Sequence, residues 1–513
     1  MSTVYSLVCW GGRTGKTVTL SIASPCVVTS TNHGLRDGTG LVFSTTGALP
    51  TGITAGTTYY ARSTAANTFN LYDTEAHAKD TANTTGRINT SGTQSGTQTA
   101  QSKKMIDYFA QYAGRWGVAG SERCYDGIAS YQAARVSQAT STNSEVCEIG
   151  EAFDEYATAK VTINVPAYET IIAPEVNGVR TSAWHGGVYG SGYRFMSKTE
   201  LYDWGLVFSG MYQSLSGVSV VLTGNNCQGL NAEATLSTFR DLMIYRVAGS
   251  GQAGLAVTGV ACVVDNCLVA NITSGDGIRF SQYTGSACTV SNCIVTKCTG
   301  TGMSAPTEVV KHSVFNVMSV GNTTNWSAKP TGLTAAGNNF GISADAPWYV
   351  GTDTSIKTLT ADNATFVDYA NNNFRPASAT APQVDAATTL LRGYNTDISG
   401  SERPNYNNGG AEAWDGGPFE FDHGYGDHPA TATISLSNIV SGSRVLITRD
   451  DTSAVLYNDV PGASLSLSTG YIGNFSVVIR KASESPFYRE FSAGGTTVAN
   501  QTTSIKALQQ LDE

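Results

Sequence analysis

The sequence predicts a mainly β protein built around a parallel β-helix, and three observations support this fold class. A stretch of sequence repeats, because Cys262 and Cys267 recur as Cys288 and Cys293, each 26 residues later. The composition includes 55 Gly residues and only 14% charged residues, which is typical of a turn-rich β protein. Leu-, Ala-, Glu- and Lys-rich helical runs are missing, so stacked short strands explain the period better than helices do.

The repeat aligns into columns that predict which side chains face inward. One column is apolar and contains Phe239, Val264, Val290 and Val310. The next column is polar and is expected to face solvent, and it contains Arg240, Asp265, Ser291 and Lys311. The third column forms a turn and contains Asp241, Asn266, Asn292 and His312. Equivalent residues of successive coils lie about 4.8 Å apart. We therefore expect Asn266 over Asn292 to form an amide ladder at the turn.

The cysteines have three interpretations. Four residues separate Cys262 from Cys267, which does not match the CxxC pairs of most zinc modules. Free cysteine is often buried as a small apolar side chain. Reduced, stacked thiols are therefore favoured, with Cys262 on Cys288 and Cys267 on Cys293, and disulfides or a metal site are the alternatives.

Residues 1–100 are predicted to form a small all-β domain, because the segment from Thr17 to Ile22 alternates and later short runs end at Gly or Asn. Four blocks in this domain resemble a small β module that recurs in tailed-bacteriophage tail, fibre and head-associated proteins. The blocks are Asn32-His33-Gly34-Leu35, then the run from Val42 to Pro50, then Gly56-Thr57-Thr58-Tyr59-Tyr60, then Thr68-Phe69-Asn70-Leu71.

Residues 101–158 are predicted to form a linker and a helical cap. The linker is inferred from the Ser, Thr, Gly and Gln that dominate residues 89–102. Helical spacing is seen at Met105, Ile106, Tyr108, Phe109, Ile128, Tyr131 and Ala134, and is extended to about residue 155 by Val146, Ile149 and Phe153. Such a layer would cover the open apolar end of the coils.

Residues 159–428 are predicted to form the coils, and residues 429–513 a C-terminal β-sandwich with regularly spaced short strands. Segments such as Asn373-Phe374-Arg375-Pro376 and the run from Trp414 to Glu420 resemble the closing segment of right-handed β-helix proteins, a family that includes phage spikes and pectate-lyase-like proteins. The resemblance implies a right-handed coil. Asp415-Gly416-Gly417-Pro418 departs from the Asp-Ile-Gly-Ala that family members often have.

An acidic run is the first candidate site, and it comprises Glu145, Glu148, Glu151, Asp154 and Glu155. Two carboxylates about 5 to 9.5 Å apart would suit glycoside hydrolysis. At helical spacing Glu148, Glu151 and Glu155 share one face, which favours a solvated face of the cap helix.

The run from Gly11 to Thr17 looks like part of a phosphate-binding loop, but its spacing is wrong. The motif needs Gly five residues before Gly15, where this chain has Trp10. The residues that follow are typical of a strand rather than of the helix that would hold phosphate. Nucleotide binding is therefore not expected.

Three further groups carry residue types that binding sites use. Asp276 and Arg279, in a predicted coil loop, and Asp241, in the turn column, could line a glycan groove. The run from Asp422 to His428 has the residue types of a metal site, but a Gly-rich linker is the favoured interpretation.

The last group is aromatic, with Trp184 and His185 followed by Tyr189 and Tyr193. Packing at the coil edge is favoured over an exposed strip for sugars. No nucleophile triad, zinc-protease motif or dinucleotide fingerprint stands out. The sequence therefore assigns no catalytic, cofactor-binding or metal residue and implies no cofactor.

Charge and segment patterns limit the function classes. The net charge of −9 argues against nucleic acid as a partner, and no stretch approaches the about 18 apolar residues of a membrane span. Met1 to Tyr5 has no basic region before an apolar core, so no signal peptide is expected.

The resemblances imply a structural virion protein, as head decoration, head fibre or tail spike, that is a homotrimer bound to other virion proteins. The alternative is a tailspike depolymerase that binds and cleaves a bacterial surface polysaccharide. A third interpretation, a secreted pectate-lyase-like enzyme, conflicts with the missing signal peptide.

Overall fold

The protein is mainly β and contains a β-solenoid of about 7 turns, as the sequence predicts. Two compact units divide the chain, residues 1–404 with 413–421 and residues 405–412 with 422–513. The computed structural model describes residues 3–82, 84–117, 122–136, 144–164, 170–198, 203–280, 287–306, 311–331, 333, 335–337, 339–341, 347–348, 357–362, 364–378, 381–383, 397–399, 417–419, 432–437, 439, 443–449, 455–459, 464–469, 473–481, 491–497 and 502–506.

The first unit begins with a strand of the solenoid, β1 (Thr3–Val8), and continues into a closed barrel with the strand order β2-β3-β6-β5-β4-β7. Its strands are antiparallel, and Val18 and Leu20 face its core as the alternation predicts. The barrel elements are β2 (Lys16–Leu20), β3 (Val27–Thr29), β4 (Thr39–Thr45), β5 (Thr58–Ala65), β6 (Thr68–Tyr72), the helix α1 (Glu75–Lys79) and β7 (Gln98–Ser102).

A cap follows the barrel and consists of α2 (Lys103–Gln111), β8 (Cys124–Tyr125) and α3 (Ile128–Val136). The Ser102 hydroxyl caps α2 by accepting the Lys104 N–H at 3.1 Å. Ile128 and Tyr131 of α3 lie in the same apolar core as the coils, in agreement with the predicted cap.

The predicted extension of the helical layer to about residue 155 is wrong. Residues 144–149 and 154–157 form strands of the first coil, and Val146 pairs in parallel with Tyr5 on one side and Ile171 on the other. The first coil therefore begins before the predicted limit at residue 159, and β1 belongs to the solenoid rather than to the N-terminal domain.

Each full coil contributes one strand to each of three parallel sheets. The strands of the coils are β9 (Ser144–Ile149), β10 (Asp154–Ala157), β11 (Val161–Ile163), β12 (Thr170–Ala173), β15 (Arg194–Ser197), β16 (Trp204–Phe208), β17 (Gln213–Ser216), β18 (Ser219–Leu222), β19 (Gln228–Ala232), β20 (Thr238–Arg240), β21 (Met243–Arg246), β22 (Ala253–Val257), β23 (Val263–Asp265), β24 (Leu268–Ala270), β25 (Asp276–Phe280), β26 (Thr289–Ser291), β27 (Ile294–Thr296), β28 (Thr301–Ser304), β29 (Ser313–Phe315), β30 (Met318–Val320), β31 (Thr324–Trp326), β32 (Ala335–Gly337), β33 (Phe340–Gly341) and β34 (Lys357–Thr358). A short hairpin of β13 (Glu175–Val176) and β14 (Val179–Arg180) interrupts the second coil.

Sheet 1 has the order β32-β29-β26-β23-β20-β17-β12-β9-β1-β8, sheet 2 the order β10-β15-β18-β21-β24-β27-β30-β33-β34, and sheet 3 the order β11-β16-β19-β22-β25-β28-β31. The strands within each sheet stack in parallel, so every coil repeats the path of the one before it. Inward residues of all three sheets share one apolar core.

The predicted pairing register holds for the three coils that contain Phe239, Val264 and Val290, and it fails for the coil that follows them. We call the aligned residues of one coil a row. Val264 pairs with Phe239 and with Val290, and the neighbouring pairs place Cys262 over Cys288 and Cys267 over Cys293. Val314, not Val310, pairs with Val290, because the fourth row follows the third after 24 residues, whereas the alignment placed it after 20. Lys311 therefore does not continue the polar column, and Val310 lies outside the described residues.

The turn column places Asn266 over Asn292 as predicted, and its fourth member is Asn316. Asp241, Asn266, Asn292 and Asn316 have φ values of 53°, 53°, 50° and 55°, in the left-handed region that Asn and Asp tolerate. Asn292 Oδ1 accepts from Asn316 Nδ2 at 2.9 Å, and Asp241 Oδ1 accepts from Asn266 Nδ2 at 3.2 Å. His312, which the sequence placed here, lies instead in the column of Cys262 and Cys288, because Ser313 pairs with Thr289.

The sequence predicts that Asp265 faces solvent, but in the structure this side chain is buried. It is 8% exposed, and its Oδ1 accepts from the Ser291 hydroxyl at 2.6 Å and from Asn292 Nδ2 at 2.8 Å. The residue ends its strand where the chain enters the turn, so its carboxylate is enclosed by the polar groups of the next coil. A polar column can therefore be internal to the stack.

All ten cysteines are buried free thiols. Cys288 receives a further contact from the next coil, where its N–H donates to His312 Nδ1 at 3.2 Å. His312 in turn stacks on Phe280, with the ring centroids 4.4 Å apart. The thiol stacks thus belong to the apolar core, which is the favoured sequence interpretation.

The chain after the coils returns along sheet 2 and covers its outer face. β35 (Phe366–Asp368) and β36 (Asn373–Pro376) form an antiparallel pair in this segment. Lys297 fixes the turn between them, because its Nζ donates to Ala370 O at 3.1 Å and to Asn372 Oδ1 at 2.7 Å. Outer-face residues and the returning chain form one apolar cluster that includes Met196, Val221, Met243, Leu268, Ile294, Phe366, Phe374, Ile398 and Phe419.

The second unit contains two sheets that share an apolar cluster, as expected for the predicted sandwich. One has the order β40-β37-β43 and the other the order β39-β38-β41-β42. Ile434 and Leu436 of the first sheet and Val445, Ile447 and Val477 of the second belong to that cluster. The strands are β37 (Ala432–Ser437), β38 (Ser443–Arg449), β39 (Val455–Asp459), β40 (Ser464–Thr469), β41 (Gly473–Lys481), β42 (Phe491–Thr497) and β43 (Thr502–Lys506).

Candidate functional site

The acidic run is buried in the first coil, so the prediction of a solvated helix face is wrong. The exposed fractions are 2% for Glu145, 3% for Glu148, 4% for Glu151, 7% for Asp154 and 9% for Glu155. The run lies in β9, in β10 and in the turn between them. Burying a carboxylate is costly unless it is paired and hydrogen-bonded, so the partners of each one explain its position.

Glu148 and Glu145 bind the loops and the helix of the cap. Glu148 accepts from Arg115 Nε at 2.9 Å and Nη2 at 2.6 Å, and from Trp116 Nε1 at 2.8 Å. Glu145 pairs with Arg135 at the end of α3. Both carboxylates therefore attach cap residues to the first coil through charge-assisted bonds.

Glu155 binds the start of α3. Its two oxygens accept from Ile128 N at 2.7 Å and Ala129 N at 2.8 Å, and the Tyr193 hydroxyl also donates to it. A carboxylate here satisfies N–H groups that a helix start leaves unpaired. Gly127 permits the approach, because a Cβ at that position would lie 2.3 Å from Glu155 Cδ.

Glu151 lies between the barrel and the cap. It accepts from Trp10 N at 2.9 Å, and burial raises its pKa to about 7, although hydrogen bonds from the Ser102 hydroxyl and Trp10 N oppose that shift. This carboxyl group is therefore partly protonated at neutral pH. At 4% exposure it is enclosed by protein.

Asp154 lies at the floor of a solvent-open cleft between the barrel and the first two coils. It receives Arg194 Nε at 2.8 Å, Arg194 Nη2 at 2.6 Å and Arg36 Nη2 at 2.7 Å. Asp154 and Arg194 are direct cross-strand partners in sheet 2, whereas Arg36 comes from the barrel. The cleft, which we call the junction cleft, has a volume of about 420 Å³ and is lined by His33, Gly34, Leu35, Arg36, Asp37, Ser63, Ala66, Asp154, Tyr156 and Arg194.

The backbone also joins the barrel to the coil beside this cleft. Leu35 forms an antiparallel bridge with Phe153, and Asp154 N donates to Gly34 O at 2.9 Å. Gly34 has a φ of +65°, and a Cβ there would lie 2.1 Å from Asp154 O, so only glycine fits. Buried His33 stabilises this turn, since its Nδ1 accepts the Leu35 N–H at 3.1 Å.

The glycine-rich run near the N-terminus is a structural turn. Lys16 opens β2, so a strand follows the run as predicted. The Lys16 ammonium lies 3.1 Å from Asp126 Oδ2 and 5.3 Å from the centre of the Trp10 ring. Gly11 N donates to the same Asp126 carboxylate at 2.7 Å. The cation and the N–H that a phosphate would need are therefore engaged by protein groups.

The aromatic group packs at the coil edge, the favoured interpretation. His185 is 1% exposed, its Nε2 contacts Asp241 O at 2.7 Å, and burial lowers its pKa to about 4. Tyr193 is fully buried, and Tyr189 lies over Tyr245 with ring centroids 4.0 Å apart. Trp184 is partly buried beside this group.

The remaining groove candidates are also engaged within the protein. Asp241 is 1% exposed in its turn, and burial raises its pKa to about 6 despite Arg240 at 3.0 Å. Asp276 and Arg279 lie in the strand β25, not in the predicted loop. The Asp276 carboxylate accepts from Thr301 N at 3.0 Å and from the hydroxyl of Ser304 at 2.7 Å.

The described part of the chain contains no group of three or more His, Cys, Asp or Glu side chains that is arranged to hold a metal ion. The run from Asp422 to His428 lies outside the described residues. No described helix is long and apolar enough to cross a membrane.

Comparison with known proteins gives similarities to solved structures alone. No family model and no curated protein matches the chain. A structure of pectate lyase Pel9A is 13% identical, covers 56% of this chain and 90% of its own, and has a TM-score of 0.33. A pectin methylesterase from Aspergillus niger is 14% identical, covers 51% of this chain and 93% of its own, and has a TM-score of 0.29. At these values the similarities carry no argument about what this chain does.

Proposed function

We propose that this chain is a structural component of a bacteriophage virion, acting by assembly and surface display as a head decoration, head fibre or tail spike. The observation that carries the proposal is the attachment of the barrel to the solenoid by backbone and ion-pair contacts. The Leu35–Phe153 bridge and the Arg36–Asp154 ion pair hold the barrel directly against the first coil. A displayed spike needs such a joint, because its shaft must keep a fixed direction relative to the part that docks.

Two further features support the same proposal. The segment that resembles a recurrent phage β module folds as a closed barrel, which is a compact unit suited to docking. The shaft is stabilised by stacked, internally bonded columns and by a returning chain that covers sheet 2. Both properties suit a particle that works through its shape.

The test is to locate the chain on particles. Antibody raised against the purified full-length chain would be applied to phage particles purified from the strain that carries the gene, and the particles imaged by electron microscopy. We expect label at a fixed position on heads or tails, and peptides of the chain in a mass-spectrometric analysis of the same particles. Absence of the chain from purified particles, when the soluble lysate contains it, would overturn the proposal.

We also propose that the assembled form is a homotrimer, as the resemblance to β-helix spikes implies. Light scattering of the purified protein should give the mass of three 53.8 kDa chains. A monomeric mass across a tenfold range of concentration would contradict this part of the proposal without affecting the virion assignment.

The alternative, a tailspike depolymerase, is favoured by one observation, the solvent-open junction cleft with Asp37 and Asp154 in its lining. Asp154 is held by donors from Arg36 and Arg194, so protein groups already occupy its carboxylate oxygens and oppose a role in proton transfer to a substrate. We therefore expect no oligosaccharides when host polysaccharide is incubated with the protein and the products are sized. Products released by the wild type and lost in Asp37→Asn would favour the enzyme.

A further inference from the structure

The junction cleft has unused hydrogen-bonding capacity on both sides. Among the residues that the structure describes, Arg36 bonds only through Nη2, to Asp154 at 2.7 Å and to Gly192 O at 3.1 Å. Asp37 accepts from Ser63 N through Oδ1 at 2.8 Å, and no described group bonds to its other oxygen. The cleft therefore offers guanidinium donors and a carboxylate acceptor to a small ligand.

The cleft also has an aromatic wall. Tyr156 follows Asp154 on the same face of β10, and it is 38% exposed although its neighbours Glu155 and Ala157 are buried. Tyrosine combines an apolar ring with a polar hydroxyl, so it can pack against a ring-shaped ligand and still bond to water. An exposed tyrosine on the wall of a polar cleft is therefore a ready stacking surface.

The charges of the lining side chains cancel. Arg36 and Arg194 contribute two positive charges, and Asp37 and Asp154 contribute two negative charges. A strong anion would meet no net attraction, whereas a ligand whose hydroxyl groups both donate and accept would match both kinds of partner. The volume of about 420 Å³ lies in the range of small-molecule sites.

We propose that the junction cleft binds one neutral saccharide unit, with the sugar ring against Tyr156 and its hydroxyl groups between Arg36 and Asp37. This site goes beyond the proposed virion role and does not depend on it. A chain that labels no virion can still bind the sugar, and a virion protein can lack the site, so the two experiments fail independently.

The test uses the full-length chain and saturation-transfer NMR with methyl glycosides of glucose, galactose, mannose, N-acetylglucosamine and rhamnose, and with methyl glucuronide as the charged comparator. We expect transfer to at least one neutral glycoside and weaker transfer to the glucuronide. Tyr156→Ala should weaken the binding about tenfold, which is about 1.4 kcal/mol. Tyr156→Phe, which keeps the ring, should bind within about threefold of the wild type.

Tyr212→Ala is the matched control, because Tyr212 is 47% exposed at a coil corner and does not line the cleft. It should bind the sugar as the wild type does. The proposal is overturned if no neutral glycoside receives transfer, if the glucuronide alone does, or if Tyr156→Ala and Tyr212→Ala bind equally. Thermal melting of each variant checks that a loss of binding is not a loss of folding.

Discussion

The first coil of the solenoid and its middle coils use polar residues in different ways. In the first coil, buried carboxylates such as Glu148 and Glu155 each bind a different set of partners from the cap. In the middle coils, Asn266, Asn292 and Asn316 occupy the same turn position, and Asn316 Nδ2 donates to Asn292 Oδ1 of the coil before it. A middle coil packs against similar coils on both sides, so the same residue type can make the same contact in each coil. The terminal coil packs against the cap, which has no repeat, and therefore needs a different contact at each position.

The strongest way to test the repeated region is to place a charge in its core. Val264→Asp should prevent the shaft from folding, because an unpaired buried charge costs several kcal/mol and Val264 is fully buried between its neighbours. Circular dichroism and solubility measure the outcome. Val263→Asp is the control, since the adjacent side chain is only partly buried. Equal loss of folding in both variants would show that the faces are assigned wrongly.

The next test addresses the individual contacts of the terminal coil. Glu148→Ala should destabilise the first unit by about 3–5 kcal/mol, because it leaves Arg115 and Trp116 without their shared acceptor in a buried place. Thermal unfolding measures the change. Glu75→Ala, which removes an exposed pair with Lys79, should cost less than about 1 kcal/mol. A Glu148→Ala effect as small as the control would mean that the cap is not held by its carboxylates.

Glu151 allows the terminal coil to be tested through the pH dependence of the free energy of unfolding. Its folded pKa of about 7 lies above the about 4.3 of an unfolded glutamic acid, so the unfolded chain loses this proton at lower pH than the folded protein does. This group therefore removes stability as pH rises through that interval, by up to about 4 kcal/mol in total.

Glu151→Gln should flatten the decline in melting temperature between pH 5 and pH 8. The quantity to measure is the difference between the wild-type and variant curves, because Asp241, with a pKa raised to about 6, titrates in the same direction in both proteins. Parallel curves would show that Glu151 is ionised throughout this range.

The smallest expected effect lies in the middle coils. Asp265→Ala should cost about 1–2 kcal/mol, because Asn292 Nδ2 and the Ser291 hydroxyl lose a buried acceptor while the stacking of the strands remains. Chemical denaturation measures the change, with Thr289→Ala on the partly exposed face as the control. An Asp265→Ala variant as stable as the control would restore the solvent-facing interpretation of this column.

The sequence identified the features that recur and missed those that do not. The stacking positions of Cys262, Cys288 and Asn292 can be predicted from the sequence, because the same residue types occur at the equivalent positions of neighbouring coils. The fourth row was misaligned because the alignment placed it 20 residues after the third, whereas the coil is 24 residues long, and this put His312 in the wrong column. Periodicity alone carries no information about such a change in coil length.

The acidic run was misread for a physical reason. Carboxylates at Glu148, Glu151 and Glu155 have the spacing of a helix face, and their partners lie in distant segments that no local pattern reveals. The junction cleft was missed for the same reason, since Arg36 and Asp154 meet only when the barrel is placed on the coil. The His33-Gly34-Leu35 block was the sequence signal that could have indicated this contact. Gly34 has a conformation that only glycine fits, and such a glycine often lies where two backbone segments approach closely.

The position of β1 has a consequence for synthesis on the ribosome. Leu7 pairs with Cys124 and Thr3 pairs with Ser144, so the partners of the first strand are synthesised 117 to 141 residues later, which at 5–20 residues per second is roughly 6–28 s. The barrel between them closes on itself through antiparallel neighbours and can form during that interval. The solenoid is then completed around a strand made before any of its coils, so the order of translation differs from the order of assembly.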